Sequence, residues 1–325
     1  MSSPWHPAVV TVTLRWPVVL LLLAAPAWAA AVAPWLAGWH WTLDLLACFP
    51  VQAMGALLLL GLGLLLARAP RRAAAVLLGA LLSASHVVPP WWQAPPAPAH
   101  AGQPVRVLAL NLLRGAHGHA PTAVAMIRGL DPDVLFCSEL TPEWLQGLAP
   151  AVPQLPHRKV LPSAGYFGVG LFSRWPLPTA TVLPLGYEWA PAVRAVIATP
   201  GGELGLLGVH TPRPGGRQRS AERDTALRAM PAALAGLPRH QVVVGDHNVT
   251  PWNHAFGELV ESTGLVAASA TDWLPSWPAA LPLPLRIPID HALVSPNLGV
   301  ARVELGHDFG SDHLPLRIDL VLPPP

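Results

Sequence analysis

Residues 242–251 read VVVGDHNVTP, an apolar run that stops at a glycine and is followed at once by Asp246, His247 and Asn248. Three consecutive valines favour an extended chain. Side chains at i and i+2 of such a chain point to the same side, so Asp246 and Asn248 are delivered together from a strand end. A carboxylate there can align or deprotonate a water, and an amide can stabilise charge on phosphoryl oxygens. Pro251 then suits the first turn of a helix over 252–262, where the missing N–H costs little.

The same grammar recurs outward from this stretch. Val105–Leu110 ends in Asn111, Val134–Cys137 leads to Glu139, and Leu204–Val209 ends in His210. Ile289–Val294 carries Asp290, while Ser311-Asp312-His313 precedes the last apolar run, Leu316–Val321. Gly168–Phe172 and Val193–Ala198 complete eight expected strands. They alternate with expected helices at 121–128, 141–148, 220–237 and 252–262. Strands mixed with helices over about 220 residues predict one α/β domain with a large core.

The polar residues at these strand ends suit a metal-dependent phosphoesterase. Glu139 closes an apolar strand, a costly place for a carboxylate unless it is paired, protonated or metal-bound. The reading assigns Glu139 and Asp312 to a cation, with Asn111 orienting the metal carboxylate or touching a phosphate oxygen. Because the ligands are oxygens and no Cys/His cage is apparent, the expected ion is Mg²⁺, with Mn²⁺ able to replace it. His313 falls beside Asp312 and would face the reacting phosphate, Asp290 would orient it and raise its pKa, and His210 is a second strand-end histidine.

Other polar residues carry two readings. Arg213, with Arg217, Arg219 and Arg223, forms the only basic cluster. Arg213 is the candidate for phosphate contact, against a solvated loop running into a helix. His247 should point away from Asp246 and Asn248 and reads as packing rather than a ligand. His117 and His119 suit a solvated loop, and His254 and His307 a surface or structural position.

These segments resemble the endonuclease/exonuclease/phosphatase superfamily, the deoxyribonuclease-I-like fold, over essentially all of residues 104–322. The GD-x-N pair matches Asp246 and Asn248, the I-D segment Asp290, the S-D-H segment Asp312 and His313, and HTPRP the family's other active-site histidine at His210. The resemblance supports a metal role for Asn111 and Glu139. It implies a four-layer sandwich, two packed mixed β-sheets flanked by helices. His247 departs from the pattern, which usually has a large apolar or aromatic residue there. Apolar spans, a Pro-rich linker and HTPRP with GDHNVTPWN look like the membrane-anchored bacterial members.

Composition divides the chain in the same way. The whole has mean hydropathy +0.42, yet residues 1–100 carry as charges only Arg15, Asp44, Arg68, Arg71 and Arg72. The remainder holds 16 basic and 17 acidic side chains and is near neutral. Apolar stretches at Trp16–Leu36, Leu43–Ala67 and Ala73–Val88 approach the ~20 residues that cross hydrocarbon, which predicts three transmembrane helices. Arg15 and the Arg68/Arg71/Arg72 loop put the N-terminus and second loop inside and everything after Trp91-Trp92 outside. Trp39, Trp41, Trp91 and Trp92 suit the interfaces. The expected organisation is an anchor over 1–90, a Pro-rich linker over 91–103 and a catalytic domain over 104–325 on the extracytoplasmic side of a bacterial cytoplasmic membrane. Two rival readings stand beside it: a signal peptide cleaved at Ala27-Trp28-Ala29, or a buried soluble third helix, which would leave the domain cytoplasmic. Cys48 and Cys137 are not expected to pair.

A bilayer tether favours a lipid-linked substrate, such as a polyprenyl pyrophosphate or a phospholipid headgroup. A sequence-independent nuclease would carry an excess of basic residues, and this domain has one lysine, Lys159. A tethered nuclease is therefore the second reading, and an inactive binding protein on the same fold the third.

Overall fold

The structure is a computed structural model that describes residues 16–92, 102–269 and 274–323. Arg15 and most of the expected linker, 93–101, lie outside the described residues. The N-terminal part is helical: α1 (Trp16–Leu36), α2 (Trp41–Leu46), α3 (Pro50–Leu66) and α4 (Pro70–Trp92). The C-terminal part runs β1 (Gln103–Asn111), α5 (Ala120–Leu130), β2 (Val134–Ser138), α6 (Pro142–Leu148), β3 (His157–Leu161), β4 (Val169–Ser173), β5 (Thr179–Pro184), β6 (Pro191–Thr199) and β7 (Gly202–His210). It continues α7 (Arg217–Leu234), β8 (Gln241–Asp246), α8 (His254–Thr263), β9 (Val266–Ala267), β10 (Asp290–Val294), β11 (Gly299–Leu305) and β12 (Leu316–Leu322).

The strands form two six-stranded sheets, ordered β11-β12-β1-β2-β4-β3 and β5-β6-β7-β8-β10-β9. β1 pairs parallel with β2 and β7 with β8, and the other pairings are antiparallel, so both sheets are mixed. Side-chain alternation sorts each strand between two cores. Val105, Val107 and Ala109 of β1 and Val242 and Val244 of β8 meet between the sheets. Leu108 and Leu110 turn outward to α5 and α6, and Val243 outward to α7 and α8. Central strands are thus buried on both faces, which is why they read as continuous apolar runs rather than alternating ones. The result is the expected four-layer α/β sandwich.

The helices obey their local signals. Thr141 caps α6 by accepting from the Trp144 N–H at 3.2 Å, with Pro142 in the first turn. α8 ends on Gly264 in the left-handed region, φ 66°.

The N-terminal helical part departs from expectation in its middle helix. By length and composition, Trp16–Trp39 and Pro70–Val88 are suited to cross a membrane, while Pro50–Leu66 is shorter, at 17 residues. The expected single helix over Leu43–Ala67 is broken because Pro50 has no N–H to continue a preceding helix and disfavours helical backbone at Phe49. Pro50 instead opens α3, and Thr42–Leu46 belong to the separate short helix α2. α1, α3 and α4 pack through small residues, Ala24, Ala31, Ala53, Ala73 and Ala80, with Leu57 and Leu64, the composition that lets helix backbones approach. α4 continues through Trp92, two residues into the expected linker, and β1 begins at Gln103. Cys48 and Cys137 are both buried and unpaired, Cys48 at the break before α3 rather than within a span.

Candidate active site

Strand register gathers the polar residues. In the second sheet Asp246 at the end of β8 lies opposite His210 at the end of β7 and Asp290 at the start of β10. In the first sheet Asn111 ends β1 opposite Ser138, with Glu139 the next residue. The two groups face one another where both sheets end. Asn111 Nδ2 bridges the sheets by donating to Asp246 Oδ2 at 3.1 Å.

Asp246 is the hub. It accepts from Asn248 Nδ2 at 3.1 Å and from the Asn248 backbone N–H at 2.9 Å. Its Oδ2 lies 3.6 Å from His210 Nε2 and 3.7 Å from His313 Nε2. Asn248 also donates to the Thr211 carbonyl at 3.0 Å. Asn248 and Glu139 both hold left-handed backbone, φ 49° and 55°, a conformation that costs a non-glycine residue of order 1–3 kcal/mol and persists where surrounding contacts enforce it. Here the paired amide and backbone bonds to Asp246 enforce it at Asn248, and the Arg114 N–H donating to Glu139 Oε2 at 2.9 Å helps at Glu139.

His313 is fixed from behind. Its Nδ1 lies 2.8 Å from Asp290 Oδ2, which also accepts from the Ser276 hydroxyl at 2.6 Å. Ser311 Oγ ties the segment to the first sheet by donating to the Asn111 carbonyl at 2.7 Å.

Charges in this buried cluster are displaced from their ordinary values. Burial opposes a cation at His313, but the carboxylates of Asp290 and Asp246 outweigh it and push its pKa up to about 10. Asp290, despite burial, is held below the usual carboxylate range by His313. Burial raises Asp246 to about 7, against the pull of His313. His210 is depressed to about 4 by burial and by the positive His313, so it stands as a neutral imidazole.

Two groups of oxygen-rich side chains can hold a cation. Asp246, Asp290 and His313 bring one ligand atom each to within 4.8 Å of one another. The second group is Glu139, Asp312 and Asn111. Glu139, next to the Ser138 that pairs with Asn111, is raised by burial and by the Asp312 carboxylate against the Arg114 N–H and the Asn111 amide. Asp312 Oδ2 accepts from Trp277 Nε1 at 3.1 Å, whereas its Oδ1 is buried with no hydrogen-bond partner among the described residues. A buried, unsatisfied carboxylate oxygen beside a second carboxylate fits a hard cation. The first group is already internally neutralised by the His313–Asp290 pair.

The remaining expected residues fall elsewhere. Arg213 is exposed on the loop after β7. Arg223 is fully buried in α7 and does not belong with a solvated basic cluster. His247 is buried, with Nδ1 2.9 Å from the Gly245 carbonyl and its ring edge-on to His291 at 5.4 Å. It packs behind the strand, as its alternation with Asp246 and Asn248 predicts. His117, His119, His254 and His307 are exposed.

Sequence reading missed Ser276, Thr211, Trp277 and Arg114, which touch the site through a hydroxyl, a carbonyl, an indole N–H and a backbone N–H. Thr211 adjoins His210 and was within reach, whereas nothing local marks Ser276, fourteen residues before its partner. An aromatic group was also missed. Phe167 lies against His210 with ring centroids 5.3 Å apart and against Trp189 at 4.9 Å, and Tyr187 stacks on Trp189.

Comparison with known proteins agrees with this geometry. Several solved structures share the fold. TDP2 from D. rerio, complexed with single strand DNA product, is 16% identical with TM-score 0.56, covering 68% of this chain and 100% of that one. The human Nocturnin catalytic domain with bound sulfate anion is 19% identical with TM-score 0.55, over 68% and 96%. Sphingomyelinase C from Streptomyces griseocarneus is 16% identical with TM-score 0.51, over 67% and 99%. No curated protein matches by sequence. The Endonuclease/Exonuclease/phosphatase family matches residues 108–313, from within β1 to His313. The chain belongs to the Endonuclease/Exonuclease/phosphatase family, a family of metal-dependent hydrolases of phosphodiester bonds.

Proposed function

We propose that this chain is a membrane-anchored, divalent-metal-dependent phosphoesterase that hydrolyses a phosphate ester or anhydride outside the cytoplasmic membrane, with a lipid-linked pyrophosphate or a phospholipid as substrate. The observation that carries the hydrolase reading is the convergence of Asn111, Glu139, His210, Asp246, Asn248, Asp290, Asp312 and His313 at one end of both sheets. A binding protein would have no need of a hydrogen-bonded Asp290–His313 pair facing a raised carboxylate.

Glu139 and Asp312, with Asn111, would hold Mg²⁺ or Mn²⁺, which when bound supplies Lewis-acid neutralisation of phosphoryl oxygens. Asp246 aligns and deprotonates the attacking water. The cationic His313, held by Asp290, stabilises the developing negative charge. Neutral His210 accepts or relays a proton at Nε2, and Asn248 holds the geometry of Asp246 and donates to a phosphoryl oxygen. Arg213, exposed beyond His210, is available to a substrate phosphate.

The membrane part of the reading rests on two helices of spanning length, a shorter apolar third, and the Arg68/Arg71/Arg72 cluster between α3 and α4. The segment between α1 and α3 packs on the catalytic domain through α2 and α7, so the two lie on one side of any bilayer. With Arg68, Arg71 and Arg72 on the other side, the positive-inside rule supports an extracytoplasmic domain.

A tethered nuclease is the second reading. It is favoured by the aromatic group beside His210, the half-buried Phe167 and Tyr187 with the exposed Trp189, since accessible rings next to a phosphoesterase centre can stack a base. The near-neutral charge of the domain weighs against it.

The test is hydrolysis by the full chain in detergent, with Mg²⁺ or Mn²⁺, read as phosphate release from polyprenyl pyrophosphate, headgroup release from phospholipid and strand cleavage of short DNA. Preference for a lipid phosphate is expected, with Glu139→Ala and Asp312→Asn abolishing turnover while the circular dichroism is unchanged. Preference for DNA makes the chain a tethered nuclease. Retained activity in Glu139→Ala at saturating metal removes the metal assignment.

A further inference from the structure

The loop that carries Asp246 and Asn248 is held by residues of the membrane segment. Asp44, in α2, is buried, and its Oδ2 accepts from Arg223 of α7 at 2.6 Å. Arg223 is itself completely buried. It also donates to Asp224 Oδ1 at 2.6 and 2.9 Å and reaches the Asn248 carbonyl at 3.5 Å. The backbone carbonyl of Asp44 accepts from Asn253 Nδ2 at 2.6 Å. Asn253 Oδ1 in turn accepts from both the N–H and the hydroxyl of Thr250 at 2.7 Å, and from Cys48 Sγ at 3.4 Å. One anchor residue therefore grips the 246–253 loop at two points, Asn248 through Arg223 and Thr250 through Asn253.

A second grip lies on the segment that leads into β10. Gln52 of α3 donates to the carbonyls of Pro284 and Arg286 at 3.1 and 2.9 Å. Cys48 packs with Ile287 and Ile289. Ile289 accepts from the His247 N–H and immediately precedes Asp290. Residues 44–52 thus reach the segments that deliver Asp246, Asn248 and Asp290.

We propose that this anchor segment is part of the catalytic centre, with Asp44 a positioning residue that acts through Arg223 on Asn248 and through Asn253 on Thr250. Asn248 sits in left-handed backbone and has its side chain committed to Asp246 and Thr211, so a shift of its carbonyl moves both donors. The buried guanidinium needs a buried counter-charge; without Asp44 it retains only Asp224, whose side chain is partly exposed, and it turns toward that residue and away from Asn248. The same contacts put the active-site end of the sandwich, not its opposite end, against the membrane segment. That is the arrangement in which a phosphate at the bilayer surface reaches the centre. A fragment lacking residues 1–100 would lose this support.

The inference rests on the phosphoesterase reading for its kinetic consequence, but not for its mechanical one. The full chain in detergent is therefore examined in two ways, with Asp44→Ala, Asp44→Asn and Asp44→Glu. With bis(p-nitrophenyl) phosphate and Mn²⁺, Asp44→Ala and Asp44→Asn are expected to lower kcat about 10- to 100-fold, as loss of a supporting hydrogen-bond partner does, with KM little changed. Asp44→Glu should recover most of it. Amide hydrogen exchange in the peptide spanning 245–253 should accelerate in Asp44→Ala while β1 stays protected. Unchanged exchange in that peptide, or wild-type kcat in Asp44→Ala, overturns the proposal. Accelerated exchange in a chain that hydrolyses none of the phosphates supports the mechanical link and sinks the hydrolase reading instead.

Discussion

Asp290 and His313 arrive from different sheets and meet at 2.8 Å, carboxylate oxygen to Nδ1, with Ser276 donating to the same oxygen. This pair decides the electrostatics of the site. A buried imidazole would ordinarily be neutral, as His210 and His247 are, but a carboxylate at contact distance and a second one 3.7 Å from Nε2 make the imidazolium the stable form. Asp246, by contrast, shares its cation with Asp290 and keeps a proton until near neutrality.

The pH profile should follow. Asp246 acts as a base only when ionised, so kcat/KM rises as pH climbs through about 7. His313 serves only as a cation, so kcat/KM falls as pH passes about 10. These limbs belong to the interacting cluster rather than to single residues. Asp290→Asn removes the main partner of His313 and should move the falling limb to lower pH. An unmoved falling limb in that variant would sink the assignment of His313 as the cationic group. A bound cation favours ionised Asp246, so the rising limb should lie lower at saturating metal than at limiting metal.

His247 tests how the strand end is read. The family resemblance leads one to expect a large apolar or aromatic residue at this position, and burial depresses the histidine to about 3, so it is neutral throughout the working range. Its ring makes one hydrogen bond, to the Gly245 carbonyl. His247→Phe should therefore leave metal affinity and the pH profile as in the wild type, at a stability cost of about 0.5–1.5 kcal/mol for the lost hydrogen bond. Titration calorimetry with Mn²⁺ checks this, and a large loss of affinity would make His247 a ligand.

The fold was legible because the central strands are buried on both faces. Val105–Leu110, Val134–Cys137, Leu204–Val209 and Val242–Val244 announce themselves as apolar runs ending in a polar residue, and those are the strands whose ends carry the site. The edge strands β3, β5 and β11 escaped notice. HRKVL and TATVLP are half-exposed and mix charges or threonines with apolar residues, which is how a strand with one wet face reads. In the N-terminal helices, hydropathy alone merged α2 with α3, although Pro50 and the lone Asp44 both argued against a continuous span. Asp44 had no reason to be in a membrane until its partner, Arg223, was found 179 residues away, and a pairing at that separation leaves no local trace in the sequence.

A last prediction concerns how the two sheets are brought close enough to share the site. Phe136 of β2 is fully buried between the sheets, facing Gly208 of β7 and Gly245 of β8. A Cβ at Gly208 would run into the Phe136 ring. At Gly245 it would meet both that ring and the Val209 carbonyl, and the backbone there has φ 134°, which side chains rarely adopt. Gly208→Ala should destabilise by about 1–3 kcal/mol, the usual cost of overpacking a core. The three nearest atoms all belong to that ring, so Phe136→Leu in the same chain should recover part of the loss. Gly245→Ala should cost more and stay unrescued by Phe136→Leu, because the carbonyl and the backbone remain, and it should also cut turnover, since Asp246 is the next residue. Thermal unfolding of the three single variants, Phe136→Leu among them, and the two double variants measures the couplings. Equal rescue at both glycines would mean that the ring alone, and not the backbone at Gly245, sets the approach of the sheets.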